Sequence, residues 1–280
     1  MNLKILQNRL LNLYKEIAPI LTENNLRYYV MFGSALGAYR HNGFIPWDDD
    51  FDIAMPREDL DRLSRIAKKI LPKHIQFLDW HILGENAGYY IAKMQVADRD
   101  LVDTAEKESG VELPHGLFID IFPIDGFPDT MIGKTIWVLK AWSMKCRSIY
   151  RFDRGHLQTF KAKVSWCIGF ALEHIKPRYH QRTDYMHDKE ILLKSVPLGS
   201  TKMAIWSETP GDKLVHRLMP IEILGGGKPY AFEDVMVPLP ADAKKFLAIR
   251  YGEDFMKLPP IEMQNAHHAV LEKVPWRYGI

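Results

Sequence analysis

The sequence predicts a mixed α/β (α+β) fold, a sheet with helices about it, extended by a basic helical region. Three observations predict it. Short β-rich runs alternate with helical patterns over residues 26–125. Residues 131–195 then turn helical, aromatic and basic. The stretch Trp206 to Pro240 is rich in Gly and Pro and reads as strands and loops.

Taken in order, Leu3, Leu6, Leu10, Leu13, Ile17 and Ile20 fall at helical spacing. Residues 2–22 are therefore expected to form an amphipathic helix, ended by Asn24-Asn25. Tyr28 to Phe32 reads as a short buried strand. Gly33-Ser34 follows at once, and Ala35 to Arg40 reads as a short helix. Gly43 and Pro46 break the chain before Asp48-Asp49-Asp50-Phe51-Asp52. Asp50 to Met55 alternates as a strand does. Pro56 opens a helix with Leu60, Leu63, Ile66, Ala67 and Ile70 on one face, and Pro72 closes it. Gln76 to Leu83 and Tyr89 to Val96 read as two strands around Gly84–Gly88. Gly116 to Pro123 reads as a buried strand with Asp120 in its middle. Ala241 to Tyr251 reads as a short helix, and the tail from Gly252 on as irregular.

A chain of 280 residues suits one large domain, or a core with an elaboration. The boundaries expected are 1–130 for a mixed α/β core, 131–205 for the basic helical region and 206–280 for a part that completes the fold. With a net charge of +2, the chain as a whole is neither a nucleic-acid magnet nor an acidic tail protein. Cys146 and Cys167 have no metal-like or redox-like spacing, so buried free thiols are expected. The start Met1-Asn2-Leu3-Lys4 lacks the apolar core of a signal peptide, and no stretch approaches the length of a membrane span. A cytoplasmic protein is expected, with peripheral contact at the inner face of the membrane left open.

In a strand, alternate side chains share a face. Asp50 and Asp52 would then point the same way, with Phe51 and Ile53 opposed. Two carboxylates so close repel each other unless a cation sits between them. Oxygen ligands of this kind suit Mg²⁺ or Mn²⁺ bound to phosphates. Asp120, a charge inside an apolar strand, is the expected third carboxylate. Gly33-Ser34, between strand and helix, offers close backbone approach, helix N–H groups and a hydroxyl to a phosphate. Strand, Gly-Ser, helix, break and Asp-x-Asp strand together match the palm of a nucleotidyltransferase, where positioning and charge neutralisation do most of the catalysis.

A calcium loop counted from Asp48 would need Gly at its sixth position and Glu at its twelfth, where Ile53 and Asp59 stand. A glycosyltransferase Asp-x-Asp motif fits Asp50-Phe51-Asp52 locally. Only 49 residues precede it, too few for the nucleotide-binding half that such enzymes place first.

The run Phe32-Gly33-Ser34-Ala35-Leu36-Gly37-Ala38-Tyr39-Arg40-His41-Asn42-Gly43-Phe44-Ile45-Pro46-Trp47-Asp48-Asp49-Asp50-Phe51-Asp52-Ile53-Ala54-Met55-Pro56-Arg57 closely resembles the LicD family. That family includes bacterial phosphorylcholine transferases and, more remotely, fukutin-related ribitol-phosphate transferases. Phe118 to Gly126 is similar to its third-carboxylate strand, and Tyr251 to Pro260 to its C-terminal signature. The resemblance implies a nucleotidyltransferase-like fold, a divalent metal, and transfer of a phospho-alcohol from a CDP-linked donor to a glycan or lipid-linked glycan. It implies Asp50, Asp52 and Asp120 as metal-binding carboxylates, with Asp120 as general base. Gly33 and Ser34 would bind the donor phosphates, with Arg40 as a phosphate clamp and Lys93 as a second. Trp47 would be a wall for base or alcohol. Asp48 and Asp49 are expected to support the site, and His41 to pack or hydrogen-bond. His267 and His268 match only loosely.

Between Lys134 and Arg182 stand eleven Lys/Arg against two acids, Asp153 and Glu173. Trp137, Trp142, Phe160, Trp166 and Phe170 are interleaved with them. This pattern suits contact with an anionic membrane or acceptor, while nucleic acid has no motif support. The transfer of phosphocholine from CDP-choline is the first expectation. Transfer of ribitol or glycerol phosphate, or of a nucleoside monophosphate to a small molecule, are the alternatives, and a non-catalytic binding module is a third reading.

Overall fold

The computed structural model describes residues 3–84, 92–96, 116–152, 159–206 and 217–264. The amphipathic helix is α1, Leu3–Glu23, and it buries Leu6, Leu10, Leu13, Ile17 and Leu21. Each such side chain contributes about 1.5–3 kcal/mol. That total outweighs the roughly 3 kcal/mol cost of Pro19 inside the helix, so packing rather than propensity holds α1. Asn25, at φ 51°, turns the chain out of it.

Next come β1 (Tyr29–Val30), α2 (Phe32–His41), β2 (Asp52–Pro56) and α3 (Arg57–Ile70). β3 (Ile75–Leu78), α4 (Trp80–Leu83), β4 (Ala92–Val96) and β5 (Phe118–Phe127) complete the first half. The strands lie in the order β1-β2-β5-β4-β3. β2 and β5 run parallel, with Asp52 paired to Asp120 and Pro56 to Ile124. Every residue of β2 is buried, as a parallel strand covered on both faces requires. β5 is long enough to serve two neighbours on its other edge. Its first half pairs with β4 and its second half with β6 (Met203–Trp206), which carries β7 (Leu218–Pro220).

Three helices, α5 (Met131–Phe152), α6 (Phe160–Ile175) and α7 (Arg182–Lys194), fill the basic region. Phe127 of β5 meets Trp137 of α5 at 5.1 Å between ring centres, and the Trp137 indole donates to the Leu192 carbonyl. A hairpin of β8 (Lys228–Phe232) and β9 (Val235–Leu239), then α8 (Ala243–Tyr251), close the fold. One apolar cluster runs from Leu6 of α1 through the sheet to Phe246 of α8 and Phe255.

The structure shifts several expected boundaries. Trp80–Leu83 is a helical turn rather than the end of a strand, because the Asp79 side chain accepts from the Ile82 N–H and caps it. α2 begins at Phe32, which places Gly33 and Ser34 inside its first turn. β2 begins at Asp52, not Asp50. β6 begins at Met203, before Trp206. Cys146 is buried as expected, whereas Cys167 is exposed. Residues 89–91, Asp153, His267 and His268 lie outside the described residues.

Candidate active site

The acidic loop is held from several sides. The Phe51 side chain is fully buried against Tyr14 of α1, Phe44, and Phe232 of the hairpin. Buried Gln7 of α1 donates to the carbonyls of Ile45, at 3.2 Å, and Asp48, at 2.8 Å. On the sheet side, the Asp120 N–H donates to the Phe51 carbonyl and the Met31 N–H to the Asp52 carbonyl. The Asp52 N–H donates to Ser34 Oγ at 2.9 Å. Ser34 is 1% exposed, so its hydroxyl pins the start of β2 to α2.

Asp52 and Asp120 stand side by side on the parallel strands. Asp50 lies two residues ahead of β2, on a segment whose Phe51 carbonyl still accepts from the Asp120 N–H, and its charge acts on Asp52. The same segment gathers Asp48, Asp49 and Asp50, with one carboxylate oxygen of each within 4.8 Å of the others. Two groupings therefore overlap, one by position along the turn and one across the strands. The charges acting on Asp52 are those of Asp50, Asp120 and Asp48, which makes these four the electrostatic unit.

Burial, then the charges of Asp50 and Asp49 and a hydrogen bond with Asp50, push the Asp48 carboxyl up to about 8. Burial, then Asp50, Asp120 and Asp48, raise Asp52 well above the usual carboxylate range, and Arg250 opposes this. Asp48 Oδ2 is buried and accepts no hydrogen bond. A Cβ added at Gly33 would stand 2.8 Å from that oxygen. Gly33 is therefore the seat of the Asp48 carboxylate, under the positive end of α2. Phe32 holds this turn in place at φ 52°, a conformation costly for an aromatic residue. Its ring is fixed by Phe122, Trp206 and Phe246. An oxygen-only donor set of crowded carboxylates, one with a buried unbonded oxygen, fits a hard divalent cation such as Mg²⁺ or Mn²⁺.

The remaining expected residues spread around this unit. Lys93 on β4 pairs in register with Asp120, its Nζ 3.9 Å from Asp120 Oδ1 and 3.5 Å from the Phe118 ring centre. Trp47 packs on the core and meets His41 edge-on at 6.5 Å. Arg40 lies at the other end of α2. Its guanidinium donates to the carbonyls of Phe255 and Lys257 and to His41 Nε2, fastening the C-terminal signature to the helix. Sequence reasoning missed Arg250 at the end of α8 and gave Tyr251, the first residue of the C-terminal signature, no role in the site. The Arg250 charge acts on Asp52. Burial, together with Asp52, Asp48 and Asp50, raises the Tyr251 hydroxyl far above its ordinary value, against the pull of Arg250. The Tyr251 residue is nonetheless 39% exposed, so only its hydroxyl end faces the acids. Their place at the close of α8, where Tyr251 opens the C-terminal signature, was the one available signal.

Carboxylates at the head of two parallel strands, beside the first turn of a helix, define a nucleotidyltransferase-type domain. The family described as LicD/FKTN/FKRP, nucleotidyltransferase domain, matches residues 25–164. The chain belongs to the LicD family. It is 25% identical over 269 residues to the lipopolysaccharide cholinephosphotransferase LicD of Haemophilus influenzae, covering 92% of each chain. Shorter stretches match uncharacterized proteins of Rickettsia prowazekii (46% over 57 residues) and Rickettsia typhi (44% over 59 residues). Those two alignments span about a fifth of each protein.

Proposed function

We propose that the chain moves a phospho-alcohol, phosphocholine from CDP-choline in the first instance, onto a glycan or lipid-linked glycan acceptor, in the cytoplasm or at the inner face of the membrane. The observation that carries this reading is the crowding of Asp48, Asp50, Asp52 and Asp120 into one coupled unit beside the first turn of α2. The full-length similarity to a cholinephosphotransferase supports the choice of transferred group.

In this reading Asp50, Asp52 and Asp120, joined by Asp48, hold Mg²⁺ or Mn²⁺. The cation would neutralise charge on the donor phosphates. The first-turn N–H groups of α2 at Gly33 and Ser34 face the same phosphates, since a helix leaves these donors without intrahelical partners. Arg250, already acting on Asp52, adds positive charge on that side. Lys93 orients Asp120. Asp120 takes the proton of the acceptor hydroxyl as its oxygen attacks phosphorus, and the bond to the CMP oxygen breaks.

The test is product analysis with CDP-choline, Mg²⁺ and a glycan acceptor. Release of CMP matched by phosphocholine on the acceptor is the expected result. Pyrophosphate release from a nucleoside triphosphate, with no CMP from CDP-choline, CDP-ribitol or CDP-glycerol, would sink the reading in favour of nucleotidyl transfer.

A further inference from the structure

α5 and α6 form an antiparallel pair that crosses at close quarters. A Cβ on Gly169 would lie 2.0 Å from the Cys146 carbonyl oxygen, so the two backbones touch there. Tyr150, one turn on from Cys146, packs on Trp166 and Phe170 of α6 at 5.3 and 5.5 Å. Cys146 and Tyr150 belong to a line along α5 that begins with Ile132, Ile136 and Leu139, at the four- and three-residue steps of one helix face. α6 covers only the C-terminal end of this line. Ile132, Ile136 and Leu139 are 74%, 50% and 57% exposed. Met131, Trp142 and, at the ends of α6, Phe160 and Ile175 are exposed as well.

The charge on these two helices is mostly of one sign, with exposed Asp129 just ahead of α5, beside Lys134, as the nearest acid outside them. α5 carries Lys134, Lys140, Lys145, Arg147 and Arg151 and no acid, and α6 adds Lys161 and Lys163. Its acid, Glu173, is buried against Arg147. Among the described residues no helix is long and apolar enough to cross a membrane. A face of this size would cost free energy if left in water, and its composition discriminates between occupants. A second copy docked about a two-fold axis would set the lysines of α5 against their own images. An anionic bilayer surface satisfies both features at once, taking the apolar side chains among its acyl chains and the lysines among its phosphates.

We propose that the N-terminal half of α5, with the adjoining ends of α6, is a docking surface for an anionic phospholipid leaflet, which the protein enters from one side without spanning it. Docking does not depend on the proposed reaction, because it is read without turnover.

The test is flotation of the full chain with vesicles of phosphatidylcholine, with and without phosphatidylglycerol. Binding only to the anionic vesicles, lost between about 0.05 M and about 0.5 M salt, is expected. Lys140→Glu should weaken it by about five-fold or more. Ile136→Asp with Leu139→Asp should weaken it at least about ten-fold. These side chains are exposed, so circular dichroism should show an unchanged fold. Absence of binding at low salt, or a double variant that binds like the parent, would overturn the proposal. A dimer by light scattering that the double variant splits would assign the face to a second copy instead.

Discussion

Asp48 offers the sharpest test of the acidic unit. Its folded pKa, about 8, lies above the unfolded value of 3.8. A group raised in this way contributes stability that is full below 3.8 and is lost as pH rises through about 8. Each pH unit in that window costs about 1.4 kcal/mol at most, so the ceiling is about 6 kcal/mol. Asp50 and Asp52 share the charge, and a loss on the order of 3 kcal/mol is the working figure. Unfolding entropy near 2.1 cal/mol/K per residue over 280 residues converts this to a fall in Tm of about 5 °C. Thermal unfolding in EDTA should therefore show Tm falling between pH 4 and 8 for the parent, about 5 °C more steeply than for Asp48→Asn. At the upper end, Mg²⁺ at a hundredfold excess over its Kd should restore about 2.7 kcal/mol, or 4–5 °C, to the parent and less to the variant. Parallel pH curves for the two proteins in EDTA, or a parent that Mg²⁺ leaves unmoved at the upper end, would refute the argument.

Three further outcomes follow from the same geometry. Gly33→Ala puts a methyl against Asp48 Oδ2, the movable end of a side chain. Its Tm in EDTA should stay within about 2 °C of the parent, while the Mg²⁺-induced shift falls by half or more. Gln7→Leu leaves the Ile45 and Asp48 carbonyls without their donor and should cost about 1–3 kcal/mol in denaturant unfolding, with no loss meaning that α1 does not hold the loop. Arg57→Met strands Asp125, which is 1% exposed and takes both arms of that guanidinium. The expected cost is about 3–5 kcal/mol, or a Tm lower by about 5–8 °C, and a drop under about 1 °C would show that the pair adds little.

The parts of this molecule that sequence made legible are those with short-range causes. The leucine spacing of α1, the Pro56 start of α3 and the apolar run around Asp120 each write their structure locally. The pairing of Asp52 with Asp120 was within reach because strand alternation and an isolated charge in an apolar strand both have a period or an anomaly to read. Asp50 was placed beside them by the same alternation, and its charge does act on Asp52, although β2 itself begins only at Asp52. Asp48 was set aside as support because nothing local reveals that Gly33 leaves room for its carboxylate. Ser34 and Arg40 were expected to face phosphate. One hydroxyl turns out to hold the Asp52 N–H and one guanidinium to hold two C-terminal carbonyls, contacts that depend on tertiary neighbours. Arg250 and Tyr251 come about two hundred residues after the acidic turn, and no spacing rule connects them.

The clamp that Gln7 and Phe51 describe bears on how this family is cut up for study. The segment matched by the nucleotidyltransferase-domain description, 25–164, contains the acidic turn but neither Gln7 and Tyr14 on one side of it nor Phe232 on the other. Nor does it contain β6, which completes the far half of β5. The matched segment and the folding unit are thus different objects. A recombinant fragment trimmed to the matched segment would present the Phe51 ring and half a strand edge to solvent, with its aspartates attached to a loop that has lost its walls. Comparative work on these proteins needs whole chains, because the most recognisable stretch is shaped by its least recognisable neighbours.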